Sequence, residues 1–364
     1  MQFEAKKNDF LKCLNTVQSA ISQKNTLPIL SNLLIETDKN RARLTATDLD
    51  IGITSRVDVK SKATGSITIP AKKLYDIVKE LPEEDVTIVL KKNNMISIDC
   101  GQAHIKIIGL PKEEFPQIPT FEDSESIELS QKLLKEMLIM VGFAVSRDET
   151  RYVLNGVLFV IKKGKIQLVA TDGRRLALST KSVGENTKLN KKVIIPTKTV
   201  QELIKMLEDD GGVKVTFSEN QVFFDLGHTH VISRLIEGEF PDYDKVIPEE
   251  RKEKVKIDRS KFLASVKRAS LFTNQDSLSI KLDFSRNKMV VSKNAPFIGE
   301  VKEELDVKYG GKAVSIGFNP IYLIDALKVL EDETIELELE DSDRPGVIRK
   351  GNEYTYVVLP MQLI

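Results

Sequence analysis

Tryptophan is absent from the 364-residue sequence, aromatic residues amount to 6%, and there are only two cysteines and three histidines. Each scarcity excludes a class of function. So few aromatics leave no stacking platform for single-stranded bases. Cys13 and Cys100 are too few for a disulfide framework or a structural zinc site, and no histidines stand in H-E-x-x-H spacing. No stretch approaches the roughly 20 consecutive apolar residues that a membrane-spanning helix needs, and residues 1–9 lack the apolar core of a signal peptide. A cytoplasmic protein with no membrane partner is expected. Net charge is missing too, since 54 Lys and Arg balance 54 Asp and Glu. The chain is therefore no bulk polycation, and any binding of nucleic acid requires segregated charge.

What the sequence does contain is repetition. Three segments run from a β-type lead-in through a helix-period stretch into a strand: 66–90, 192–217 and 313–339. Pro70 and Pro196 are 126 residues apart, and Pro320 follows 124 later, shifted by one place. A second family, at 29–53, 153–178 and 277–301, keeps the same spacing, with Thr47-Asp48 and Thr171-Asp172 separated by 124. A third, at 3–21, 127–145 and 255–272, joins a short strand to an amphipathic helix. A long internal period of this kind means one supersecondary unit used several times. The chain thus reads as three structural copies with an α+β fold. The expected boundaries are 1–122, 123–249 and 250–364, near the prolines of Phe115–Pro119 and Phe240–Pro248 that remove ladder donors.

Helical apolar spacing predicts six helices, at about 8–21, 71–80, 131–142, 197–208, 260–272 and 319–330, with Ser130 as an N-cap. Residues 165–170 and 335–340 alternate as strands do. The six helices hold twelve basic residues against seven acidic ones, a surplus of five in a chain whose total is zero. A single lysine-rich helix is an ordinary solvated face, but six biased alike suggest a positive track for phosphates. Lysine outnumbers arginine on them, which suits point-charge contact with a backbone better than base reading. Lys72, Lys73, Lys132, Lys198 and Lys267 are the DNA-contact candidates from this argument. Two copies of the chain would supply twelve helices. Side by side at about 10 Å, these close a circle with a bore of roughly 28 Å, wide enough for a DNA duplex to slide.

An enzyme reading would gather Asp48, Asp50, Asp172, His228 and His230 as a metal-assisted hydrolase site. The Thr-Asp pairs, however, sit at strand ends where Asp closes turns, and His228 and His230 share a strand face without a third ligand. Lys308–Lys312 lacks the spacing of a phosphate loop and reads as a hairpin turn. No cofactor or catalytic residue is expected.

The strings TLPILSNLLIE (26–36), TRYVLNG (150–156), VATDGRRLAL (169–178), EFPDYDKVIP (239–248) and YVVLPMQLI (356–364) closely resemble the DNA polymerase III beta subunit family, the bacterial replication sliding clamps. The match runs the whole chain in order. The resemblance implies a DNA clamp fold, with three copies of one domain, helices lining a central hole, β-sheets outside, and a head-to-tail homodimeric ring. It implies a non-catalytic processivity factor that encircles double-stranded DNA without sequence preference. The implied partners are the DNA polymerase III alpha subunit and other polymerases, a clamp loader complex, and mismatch-repair and other proteins bearing a clamp-binding motif.

By position, the resemblance places a client-peptide pocket at Leu154, Thr171, Gly173, Arg174, Arg175, Leu176, Pro241, Lys245, Val246, Val357, Val358, Leu359, Pro360, Met361 and Gln362. Arg174 and Gln362 stand where relatives often carry histidine and arginine. It adds Lys24, Arg147 and Tyr152 as DNA contacts. It places the subunit seam at Lys73, His104 and Lys106 on one side and Leu271, Phe272, Glu300, Glu303 and Glu304 on the other, although Leu271 and Phe272 read equally well as core. A monomeric peptide-binding adaptor that contacts DNA without encircling it remains the alternative.

Overall fold

The computed structural model describes residues 1–22, 27–119, 125–184, 189–251, 253–275, 277–296 and 298–363. Lys24 and the expected boundary at 122–123 lie outside them. Among the described residues there are six α-helices: α1 Lys7–Gln18, α2 Ala71–Glu80, α3 Gln131–Gly142, α4 Thr197–Met206, α5 Arg259–Ser270 and α6 Pro320–Val329. Each lies within a few residues of the span read from apolar periodicity. Ser130 Oγ accepts from the Leu133 N–H at the start of α3 at 3.4 Å, and Asp258 and Asn319 cap α5 and α6 in the same way. None of these helices is long and apolar enough to cross a membrane.

The strands follow one plan three times. In each copy a leading strand pairs antiparallel with the strand that follows the second helix: Gln2–Lys6 with Asp85–Leu90, Glu125–Ser130 with Gly212–Phe217, and Lys254–Asp258 with Thr334–Glu338. Two further strands complete this leading set. The strands between the two helices form a middle set, for example Asn32–Thr37, Arg41–Thr47, Ile51–Asp58 and Gly65–Pro70. Each copy then ends in a short strap that bridges back to the strand before its second helix: Leu110 to Thr68, Ile236 to Ile194, and Met361 to Gly317. The straps pair with backbone groups that a bare sheet edge would leave open.

The sheets do not respect the repeat. The leading set of the second copy joins the middle set of the first through Thr229–Arg234 against Ile51–Asp58, giving one eight-stranded sheet. The leading set of the third copy joins the middle set of the second through Tyr354–Val358 against Arg175–Ser182, giving another. The leading set of the first copy stands alone as a five-stranded sheet ending in Ala103–Ile108, and the middle set of the third stands alone as a four-stranded sheet ending in Gly299–Asp306. The chain accordingly divides into two compact units, 1–135 with 198–235, and 136–197 with 236–364. Backbone pairing, not the sequence period, decides which residues are compact together.

Core packing is ordinary. In the first unit α1 buries Phe10, Cys13, Leu14 and Val17, α2 buries Leu74 and Val78, and the two helices pack on each other. Full burial of each large side chain contributes about 1.5–3 kcal/mol. The expected hairpin at Lys308–Lys312 is not one. The strands on either side of it, Gly299–Asp306 and Val314–Phe318, occupy opposite edges of the four-stranded sheet. The connection therefore crosses the sheet, with Lys308 bridged to Lys256 on the way.

The straps tolerate no added side-chain atom where they cross. A Cβ on Gly109 would lie 2.3 Å from the Thr68 carbonyl oxygen. Gly109→Ala is expected to lower stability by about 2 kcal/mol or more, read as a shifted midpoint in chemical denaturation.

Candidate functional site

In the second unit an apolar cluster is built on the second sheet join. Leu154, Leu158, Val169, Leu176, Ile194, Phe240, Tyr243, Val347 and Val357 are buried together, with Val153, Leu178, Ile236 and Ile247 packed at its margin. Leu176 lies opposite Val357 across the join. Around this floor stands an accessible rim: Val246 is 56% and Leu359 42% exposed, Gly173, Arg174, Pro241, Lys245 and Gln362 are exposed, and Thr171, Pro360 and Met361 are half-buried. Apolar floor with mixed rim is the form of a site for a short apolar ligand.

Strand alternation turns two of the expected pocket residues away from this cluster. Arg175 lies opposite Val358 in the ladder, one residue off the Leu176–Val357 pair, so both point to the other face of the sheet. Val358 is fully buried there, and the Arg175 side chain is only 9% exposed. Its guanidinium donates to Asp172 Oδ2 at 3.0 Å, Asp325 Oδ2 at 2.8 Å and the Phe143 carbonyl at 2.7 Å, and it lies 4.5 Å over the Tyr322 ring. Burial opposes its charge, but the hydrogen bond to Asp325 and the nearby negative groups outweigh that, so its pKa sits above the ordinary value.

The rim is shaped by a turn. Thr171 Oγ1 donates to the Arg175 carbonyl and accepts from Gly173 N–H, while Asp172 Oδ1 accepts from the N–H groups of Arg174 and Arg175. Gly173 has φ of 85°, a left-handed conformation suited to glycine. The C-terminal strap closes the rim, with Leu359 N–H donating to Arg174 and Met361 N–H to Gly317. The same turn occurs in the first unit, where Thr47 and Asp48 make the equivalent bonds. These aspartates are therefore turn-formers.

The candidate cations fall into two groups. Lys72, Lys73, Lys132 and Lys267 are exposed and have no ion pair among the described residues. Lys198 is committed instead, donating to Asp48 Oδ2 at 2.6 Å and to the Ala20 carbonyl at 2.7 Å. Other helical cations are spent likewise, Lys205 on Glu202 and Arg268 on Glu303. Arg147 is exposed, and Tyr152, in the turn of 3₁₀-helix Glu149–Leu154, is 57% exposed. Arg268–Glu303 and Lys198–Asp48 join residues far apart in sequence, and charge counting could not find them.

Leu271, at the end of α5, is 76% exposed and so is not core, while Phe272 is half-buried; Ile108, at the end of one open edge strand, is 69% exposed, and Ile298, just before the other, 58%. Ile108 and Ile298 were not among the residues expected at a seam. Lys106 and Glu300 are exposed without an ion pair among the described residues, whereas Glu303 binds Arg268, Glu304 binds Lys288 and His104 meets Asp99 at 2.7 Å.

No group of three or more His, Cys, Asp or Glu side chains is arranged to hold a metal among the described residues. His230 is paired with Asp225 at 3.3 Å, and burial lowers its pKa. Both cysteines are free and buried, and burial pushes the Cys13 thiol up to about 11, away from nucleophilic use.

Three family models cover nearly the whole chain: the DNA polymerase III beta subunit N-terminal domain matches residues 1–119, its central domain 128–242 and its C-terminal domain 244–362. A beta sliding clamp from Chlamydia pneumoniae is 34% identical over 363 residues, covering 100% of this chain and 99% of that protein. Among solved structures, the DNA polymerase sliding clamp of Bacillus subtilis superposes with a TM-score of 0.95 at 31% identity. A sliding clamp from Bartonella birtlesii, bound to griselimycin, superposes with a TM-score of 0.94 at 35% identity. Each comparison covers the full length of both chains.

The rim turn is constrained by its backbone. Gly173 has φ of 85°, unfavourable for any residue with a Cβ, whereas the Arg151 guanidinium 2.8 Å from that Cβ is a flexible end that can move aside. Gly173→Ala is expected to cost about 1–2 kcal/mol in a thermal melt.

Proposed function

The chain belongs to the DNA polymerase III beta subunit family, and from that premise we infer that two copies close head to tail into a ring that slides on duplex DNA and tethers polymerases. The protein is a non-catalytic processivity factor of replication.

The observation that carries ring closure is the pattern of sheet joins. Within the chain, the leading set of each later copy pairs with the middle set of the copy before it. Applied once more, the rule pairs the open edge Ala103–Ile108 of one subunit with Gly299–Asp306 of its partner. Open edges recruit strands because unpaired N–H and C=O groups seek partners. Head-to-tail contacts that close make rings.

The rule also sets a register. Ile53 lies opposite Val231 in the first join and Ala177 opposite Tyr356 in the second. The residues at the same repeat positions on the open edges are Val301 and Ile105. Setting these opposite each other puts Glu300 against Lys106, Lys302 against His104 and Ile298 against Ile108. Burial supports this alignment: Val301 and Ile105 are both half-buried, and both members of each other pair are exposed. Leu271 and Phe272 complete the apolar part of the seam, with Lys73 on the facing side.

The remaining assignments extend this reading. The three domains span 1–122, 123–249 and 250–364. Lys72, Lys73, Lys132, Lys267, Arg147 and Tyr152, with Lys24, meet the DNA backbone, and Lys198 does so less, because Asp48 already neutralises it. The apolar cluster around Leu154, Leu176 and Val357 receives client peptides from polymerases and repair proteins, and a clamp loader opens the seam.

Two measurements test this. Protein loaded on nicked circular DNA should be lost when the circle is linearised, whatever the salt; retention on the linear form would mean grip on the backbone without enclosure, the adaptor alternative. Lys106→Glu should weaken dimerisation about fivefold or more in sedimentation, since like charges then face each other twice per ring, and adding Glu300→Lys should restore it. If the double variant stays as weak as the single one, the register is wrong.

A further inference from the structure

Both sheet joins are pinned by one cation, but the cation comes from opposite directions. In the first unit Lys198 reaches from α4 to Asp48 of the turn and to the Ala20 carbonyl just past α1. In the second unit the cation is on the turn's own strand: Arg175 takes Asp172 and the Phe143 carbonyl just past α3, and reaches out to Asp325 on α6. The residue equivalent to Asp325 in α4 is Glu202, and the equivalent of Arg175 is Ile51. Glu202 is buried, and one of its carboxylate oxygens has no hydrogen-bond partner. The arginine is thus a fitting peculiar to the join that carries the apolar pocket.

Arg175 is also adjacent to that pocket's floor and rim. Leu176, next in the chain, lies in the floor on the opposite face. Asp172, bonded to the guanidinium, holds the backbone of the rim turn. The guanidinium is nearly buried, 4.5 Å over the centre of the Tyr322 ring, and fixed by three acceptors. A planar fork so held transmits position in a way that a flexible ammonium does not.

We propose that Arg175, gripped by Asp325 of α6, is a positioning residue that sets ligand affinity in the pocket on the other face of its sheet, coupling that pocket to α6. The proposal rests on the pocket assignment above. Ordering of the 171–176 turn by the staple lowers what a ligand must spend in fixing the rim. Ligand docking should in turn tighten the grip on α6 by the same factor.

The test exploits the internal repeat. Asp172→Asn and Asp48→Asn are the same chemical change at equivalent turns, each keeping the turn-forming acceptor while removing the charge from its cation. Griselimycin, which the Bartonella birtlesii relative binds, serves as the probe in calorimetric titrations of the full-length protein. Amide hydrogen exchange of 171–176 and 47–52 is followed in parallel without ligand. Asp325→Asn and Asp172→Asn should each weaken griselimycin binding about tenfold and speed exchange in 171–176. Asp48→Asn should leave affinity within twofold and speed exchange only in 47–52. Arg175→Lys, which keeps the charge but not the fork, should behave like Asp325→Asn.

Unchanged exchange in 171–176 for Asp325→Asn overturns the proposal. So does a loss of affinity in Asp48→Asn equal to that in Asp172→Asn, which would mark a general loss of stability. If the wild-type protein does not bind griselimycin, the pocket assignment falls for that ligand, and the exchange data still decide whether Asp325 orders the turn.

Discussion

Strand edges govern this molecule. A β-strand at the margin of a sheet presents a row of unpaired N–H and C=O groups, and each must find a partner or water. The chain answers in two ways. Short straps bridge one edge of each middle set, and the leading set of each later copy pairs with the copy before it. Three copies have only two such joins among themselves, so one leading set and one middle set are left over. Self-association follows from that arithmetic of edges, and the exposed isoleucines at both open margins are its apolar counterpart.

Charge is the second organising constraint, and it works locally. The positive surplus on the helices is real in composition, but several of its members are occupied, among them Lys198, Lys205 and Arg268. What stays unpaired among the described residues is a smaller set of exposed lysines on α2, α3, α5 and α6. Contacts of exposed lysines with phosphates are weak one by one and screened by salt, which suits a protein that holds DNA by enclosure and must still move along it.

The two joins are one design put to different uses. Both have the Thr-Asp turn, with Leu49 and Gly173 in the same left-handed conformation. Arg175 stands in the second join where the first has an incoming lysine, and leucine and valine gather on the opposite face. Divergence of residues on a shared scaffold gives the second join its leucine and valine cluster.

Much of this was legible in the sequence. Apolar periodicity placed all six helices, because helix pairing is local and its period is written in consecutive residues. The repeat and the turn-forming aspartates were legible for the same reason. The sequence could not say that sheets would cross the copies, since strand pairing is non-local and its register is set by partners far along the chain. That register alone turned Arg175 and Val358 away from the apolar cluster that Leu176 and Val357 join. The tertiary structure likewise decided which lysines are free, because an ion pair depends on where a distant carboxylate arrives. The sequence by itself determined the elements, their threefold order and the family; the fold decided which faces they show and which edges they leave open.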